Sequence, residues 1–317
     1  MLPTLHIAPC PSYVTRHAST LPSSSPSHSL SSTAQLEAVA GALPRWATTL
    51  REVDISHQPL QLPSPLLSAL ATAGLRELTS LRLASCRVGP LAAGALASAL
   101  PQLPQLTSLD LGDCALGSEG AAALAAARAA AWGQLRYLNL SRNGIADGAN
   151  LGDGLRSARR LAELRLEGNE LSGSGFEALC EALAAPCATG DEGDGEDGGG
   201  STLRVLNLSS NPLRVSGGHA LAEALPRLRA LRTLTLFCCE LGDAGCAALA
   251  VAMRGLPALE VLDLSSNALG DSAADALAKA LGDSAVRCLV SRPPTPRVAS
   301  HPKRAAINLF RRRRAPH

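Results

Sequence analysis

Three constellations in this chain could do chemistry before any fold is assumed. Glu163 and Glu167 are paired carboxylates, the raw material of a general acid and base. Cys238 and Cys239 are adjacent thiols and could sense redox state. Asp191, Glu192, Asp194, Glu196 and Asp197 alternate with glycines in residues 187–201, a composition that could suggest calcium. None is completed by its surroundings. The acids do not follow the twelve-residue ligand series that ends in a Glu. The glycines of GDGEDGGG are acidic company for a phosphate and would repel it. No C-x-x-C, H-E-x-x-H or G-x-S-x-G occurs, so neither zinc nor an activated serine is indicated. The expectation is a protein that is not an enzyme and needs no cofactor, whose carboxylates form a charged surface.

Composition points to how these residues are carried. The apolar share is 46% but aromatics are only 2%, so Leu and Ala must pack the core. That suits small equal steps laid side by side better than one irregular centre. The nine Cys are scattered, and several fall on the repeat positions described next, as buried free thiols in a reducing compartment. No stretch approaches the 18 apolar residues of a membrane span, and no continuous apolar secretory signal opens the chain.

Segments beginning at Leu50, Leu78, Leu106, Leu135, Leu161, Leu203, Leu231 and Leu259 are copies of one pattern. Counting the first Leu as offset 0, offsets 0, 3, 5 and 10 are apolar and offset 8 is Cys, Asn or Gln. The spacings are 28, 28, 29, 26, 42, 28 and 28, so one step carries about 14 extra residues, the acidic Gly-rich insertion. Offsets 18 and 22 are again apolar, as in Leu96 and Leu100 or Leu221 and Leu225, an i, i+4 stripe on an Ala-rich helix. Glycines at offset 14 (Gly120, Gly175, Gly217, Gly245) sit where the chain turns into that helix. Each unit is therefore a short strand, a turn and a helix.

The seventh unit, LRTLTLFCCELGDAGCAALAVAMRGLPA, resembles the leucine-rich-repeat family, in its ribonuclease-inhibitor-like class. The resemblance covers about Leu50 to Leu281. It implies an α/β solenoid, a right-handed horseshoe of about eight units with parallel strands on the concave face and helices outside. It also implies a scaffold or adaptor that binds another protein, with regulation of a small GTPase, as by the similar Ran GTPase-activating proteins, as the alternative. Residues at offset 8 would then bond the backbone of neighbouring turns and be structural. Offsets 2, 4 and 6 would face outward, a mixed and mostly small surface. On it Tyr137, Arg165 and Phe237, with Arg142 flanking, are the expected anchors, set among Arg82, Asp110, Asn139 and Asn207. Tyr137 and Phe237 are the only aromatics expected to be exposed.

The ends differ from the middle. Every acid lies between Glu37 and Asp283, where 19 basic residues face 27 acidic ones; nine basic residues follow. Residues 1–33, rich in Ser and Pro and free of acids, read as a disordered leader, with an organelle transit peptide as the alternative. Residues 34–49 read as the helical half of a preceding unit that caps the stack, within a repeat domain of 34–290. Val286 and Leu289 could open a ninth strand that the following prolines stop. Residues 291–317, with Arg311, Arg312, Arg313 and Arg314, read as a solvated basic tail. A nuclear import signal or a patch for nucleic acid or acidic lipid is the alternative, though no aromatics alternate with the charges. A cytoplasmic monomer is expected, with cytoskeletal or nuclear placement open.

The register has a direct test. Leu164→Asp or Leu208→Asp buries an unpaired charge and should cost roughly 4 kcal/mol or more, unfolding several neighbouring units. A melting curve unchanged from the unsubstituted protein would refute the alignment.

Overall fold

The computed structural model describes residues 4–6, 33–58, 64–127, 129–185, 201–281, 286 and 288–290. Ten three-residue strands form one wholly parallel sheet in sequence order. They are β1 (Thr4–His6), β2 (Glu52–Asp54), β3 (Ser80–Arg82), β4 (Ser108–Asp110), β5 (Tyr137–Asn139), β6 (Glu163–Arg165), β7 (Val205–Asn207), β8 (Thr233–Thr235), β9 (Val261–Asp263) and β10 (Cys288–Val290). The helices are α1 (Thr33–Ala42), α2 (Ser64–Thr72), α3 (Gly89–Ala99), α4 (Gly117–Ala125), α5 (Ala129–Gly133), α6 (Gly152–Ser157), α7 (Gly173–Ala184), α8 (Arg214–Ala224), α9 (Gly242–Ala252) and α10 (Asp271–Leu281). Among the described residues no helix is long and apolar enough to cross a membrane.

The eight units read from the sequence carry β2 to β9, in the expected register. Leu81, Leu109, Leu138, Leu164, Leu206, Leu234 and Leu262 pair in one continuous row. The row survives the 42-residue step, because Leu164 still pairs with Leu206. The Leu at offsets 3 and 5 enter a single core, where Leu81, Leu83, Leu206, Leu208, Leu234 and Leu236 are all 0% exposed. Strands stack about 4.8 Å apart, but packed helices need about 8–10 Å. A repeat that puts one of each side by side must therefore curve, with the sheet on the inside.

One expectation needs correction, and one strand that the sequence left open is formed. Residues 1–33 are not wholly a disordered leader: β1 pairs with β2, Leu5 opposite Val53. The signal was present, since Leu2, Leu5, Ile7 and Cys10 stand at offsets 0, 3, 5 and 8. The long Ser/Pro-rich stretch before α1 breaks the 28-residue spacing and hides it. The capping half-unit of 34–49 is thus the helical part of a unit with its own strand. At the other end β10 forms and pairs with β9, Leu289 opposite Leu262. The sheet therefore has ten strands among the described residues: β2 to β9 of the eight units, with β1 and β10 added at its ends. The rest of 1–33, most of the insertion 187–201 and the tail 291–317 with Arg311 to Arg314 lie outside the described residues.

The glycines at offset 14 lie where the chain enters each helix, inside the first helical turns and at close crossings. A Cβ on Gly217 would stand 2.8 Å from Leu213 Cβ and 3.2 Å from the Phe176 ring. Gly89, Gly117 and Gly242, at offset 11, hold the positive φ that opens each helix. Where the fourth unit is two residues short, a 3-10 turn (Gly148–Leu151) precedes a short α6. There Trp132 of α5 packs flat on Gly154, where any Cβ would meet the ring at 2.6 Å.

The residue at offset 8 ties units together. Asn211 is fully buried; its amide donates to Leu166 O (2.9 Å), Leu208 O (2.8 Å) and Ser209 O (3.3 Å), and its oxygen accepts from Leu171 N (3.1 Å). Asn143, Asn169 and Asn267 repeat this arrangement. Cys86, Cys114 and Cys239 donate S–H to Ile55 O (2.9 Å), Leu83 O (3.0 Å) and Leu208 O (3.3 Å) of the preceding turn. Asn211→Ala should cost about 2–4 kcal/mol by stranding buried carbonyls and an N–H. Asn211→Cys should cost less, because a thiol keeps a donor. Chemical denaturation that ranks the two variants equal would remove the hydrogen-bond account.

Candidate functional site

The outward row at offset 4 is the most regular part of the concave face. Asp54, Asp110, Asn139, Asn207 and Asp263 each turn one oxygen back onto the N–H two residues on, at 2.9–3.1 Å. This closes the strand end, so Asp110, Asn139 and Asn207, expected as partner contacts, are partly committed to the fold. Asn139 also donates to Asp110 Oδ1 (2.9 Å) and Asn207 to Glu167 Oε2 (3.0 Å). The row departs from Asp or Asn at Arg82, Arg165 and Thr235. A repeat uses Asp or Asn there for its own closure, so the arginines are the positions that the fold did not require.

Arg165 and Tyr137 form one assembly. The guanidinium carbon lies 5.6 Å from the Tyr137 ring centroid, within cation–π range. Its Nε donates to Glu163 Oε1 at 2.6 Å. Burial is the largest single effect and works against the charge of Arg165, but the Glu163 hydrogen bond together with the charges of Tyr137, Glu163 and Asp110 outweighs it and holds the pKa above its ordinary value. The Tyr137 hydroxyl is raised too, first by burial and then by the Asp110 carboxylate. Tyr137 is half-buried rather than free-standing. Arg82 stands two strands away, 3.7 Å from Asp54 Oδ2.

Glu167 links this assembly to the next units. Arg142 reaches its Oε1 at 3.7 Å while Asn207 holds its Oε2. Arg142 sits in the left-handed turn after β5 with φ of 58°. Phe237 lies beyond, at offset 6 of the unit of β8, and is 42% exposed. Its neighbours at the same offset, Ser209 and Ser265, are small and buried, so the ring stands above a flat floor. Three strand steps across and four residues along separate it from Tyr137, roughly 20 Å. The structure thus joins Arg165 with Tyr137 and Glu163, Asn139 with Asp110, and Arg142 and Asn207 with Glu167 on neighbouring strands, and sets Phe237 apart. The list of exposed aromatics also grows: Trp46, near the N-terminal end of the stack, is 37% exposed.

Of the residues first considered for chemistry, the acids of the insertion lie outside the described residues, and the two glutamates are held in ion pairs and hydrogen bonds. Glu163 and Glu167 are occupied by Arg165, Arg142 and Asn207, as above. Among the described residues no group of His, Cys, Asp and Glu has a metal-binding arrangement. A shallow hollow of about 430 Å³ between α7 and α8 is lined by Glu177, Cys180, Glu181, His219 and Glu223, on the helical side.

Five stretches, residues 102–125, 135–149, 201–222, 228–250 and 256–278, match a family model described as Leucine Rich repeat. Human (Homo sapiens) NACHT, LRR and PYD domains-containing protein 13 is 36% identical over 107 residues, 29% of this chain and 10% of that protein. The ribonuclease inhibitor of Sus scrofa is 38% identical over 82 residues, 26% of this chain and 15% of that protein. The alignments thus span a small part of each relative. An internalin (inlF) of Listeria monocytogenes aligns in three dimensions over 80% of this chain and 70% of its own, at 18% identity and a TM-score of 0.39.

Thiol accessibility follows from the repeat position. Cys238, at offset 7, is exposed; Cys239, at offset 8, is buried. Burial pushes the thiols of Cys86, Cys180, Cys239 and Cys246 up to about 12 and that of Cys114 to about 11. A raised pKa removes the reactive thiolate at neutral pH. Alkylation at pH 8, read peptide by peptide, should label Cys238 and spare those five until denaturant is added. Equal labelling of the two vicinal thiols would contradict their placement.

Proposed function

Starting from a chain built of leucine-rich repeats of the ribonuclease-inhibitor-like type, we propose that the protein is a non-enzymatic scaffold that grips a partner protein with its concave face. The Arg165–Tyr137–Glu163 assembly carries this reading. The strand positions of a repeat are mostly small or self-satisfied, and here a preorganised guanidinium lies on an aromatic ring where closure would have used Asp or Asn. Arginine and tyrosine concentrate binding energy because they offer large, partly rigid contact area with polar edges. Arg165 is exposed and Tyr137 half-buried, and Glu163 fixes the guanidinium without consuming all its donors.

The thiol ladder suggests where the protein works. Cys86, Cys114 and Cys239 act as hydrogen-bond donors only when reduced. We place the protein in a reducing compartment such as the cytoplasm on that ground.

A partner recovered by affinity capture allows the reading to be tested quantitatively. Tyr137→Ala and Arg165→Ala should each weaken it by about 1–3 kcal/mol, roughly five- to 150-fold, with an unchanged melting temperature. Phe237→Ala should do so only for a partner wide enough to span both anchors. Lys279→Ala on α10 should have no effect. Loss with Lys279→Ala, and none with the other three, would move the site to the helical side.

A further inference from the structure

The solenoid sorts charge between its two edges. One edge is formed by the seven residues that lead each chain segment into its strand, such as 130–136, 156–162 and 226–232. Across the described units, this edge holds twelve Arg, no Lys, no Asp and two Glu. The opposite edge, formed by the seven residues that follow each strand, holds four acids (Asp113, Glu167, Glu170 and Glu240) and three Arg among the described residues. Over the units of β5 to β8 the first edge has eight Arg and no acid at all.

The sheet aligns these arginines. Arg232 N bonds Arg204 O (2.8 Å), Arg204 N bonds Ala162 O (2.8 Å), and Ala162 N bonds Arg136 O (2.8 Å). Arg136, Arg204 and Arg232 therefore stand on one line across four strands, about 14 Å long. Arg160 and Arg229 extend it at the neighbouring turns, and all five are exposed. Arg136, Arg204, Arg227 and Arg229 have no carboxylate partner among the described residues. Where a carboxylate does stand on this edge it is paired, as Glu260 with Arg232 (3.6 Å) and Glu77 with Arg51 (4.0 Å).

We propose that this arginine edge of β5–β8 binds a carboxylate-rich segment of a partner protein, laid across the strands. Guanidinium groups in a row match planar oxyanions two bonds at a time. Carboxylate fits better than the phosphate of a nucleic acid for two reasons. No exposed aromatic ring lies along the row to stack bases. The adjoining concave surface carries Asp110, Glu163 and Glu167, which a phosphate backbone wider than the row would meet. This surface is separate from the Tyr137 and Arg165 assembly and stands or falls without it.

Fluorescence anisotropy of the full chain with a labelled oligoglutamate of about twelve residues tests the proposal, with a single-stranded RNA of equal length beside it. The double variant Arg204→Glu with Arg229→Glu should weaken the peptide at least about tenfold, and the matching Lys pair should lose less. The charge-matched control, Arg87→Glu with Arg214→Glu on the opposite edge, should leave most of the affinity. Equal losses in the two Glu pairs would mean that net charge alone binds the peptide, and would overturn the proposal. So would an unchanged affinity in the first pair, which would leave binding to the basic tail. RNA bound more tightly than the peptide, and lost with the same pair, would overturn it in favour of nucleic acid. Tyr137→Ala should not alter peptide binding, so failure here is separable from failure of the concave site.

Discussion

No unit of this protein satisfies its own backbone. The turn after each strand leaves carbonyls and N–H groups pointing into the core, and their partner is the offset-8 side chain of the same and the next unit. Asn143 alone links Leu111, Leu140 and Ser141 to Cys114 and Leu116. A buried amide with these bonds unmade would be costly, so one unit in isolation is unfavourable and a stack is stable. The Leu rows at offsets 3 and 5 depend on the same alignment, because only a fixed turn sets each Leu against its equivalent 26 to 42 residues away. Cys can occupy the position because its S–H still reaches the preceding carbonyl, although it makes fewer bonds than the amide.

This dependence also determines which surface is available for function. Offset 4 is outward-facing, yet in five units its Asp or Asn closes the strand end. Offset 6 is Ser, Ala or Gly in six of the eight units, where the chain enters its left-handed turn, and departs from this at Glu167 and Phe237. Residues that break these habits without breaking the fold are informative. Arg82, Arg165 and Phe237 break them on the concave face, and Tyr137 is held against Arg165 rather than against the core. The repeat thus acts as its own reference, and exceptions stand out from it without any alignment of relatives.

The insertion and the short fourth unit show how tolerant the stack is. Extra residues between α7 and β7 leave Leu164 paired with Leu206. The two residues missing from the fourth unit shorten its helix to a 3-10 turn and α6, and the Trp132 ring on Gly154 fills the space. Length changes fall on the helical side and its connections because the ladder of strands and amides admits none.

Most of the fold was legible in the sequence because each unit is encoded locally. Leu at offsets 0, 3, 5 and 10, Asn or Cys at 8 and the i, i+4 stripe specify strand, turn and helix, and eight copies specify stacking. The first strand escaped because Leu2, Leu5, Ile7 and Cys10 lie 48 residues before Leu50, outside the common spacing. The offset-14 glycines were legible as small residues at the helix entry, but not the neighbouring helix that requires them. The anchors were legible as residue types, but not that Glu163 orients Arg165 over Tyr137, that Asp110 and Asn207 serve the backbone, or that arginines from separate units form one line. Those facts belong to the tertiary structure alone, since residues in different units become neighbours only when the parallel ladder sets adjacent turns about 4.8 Å apart.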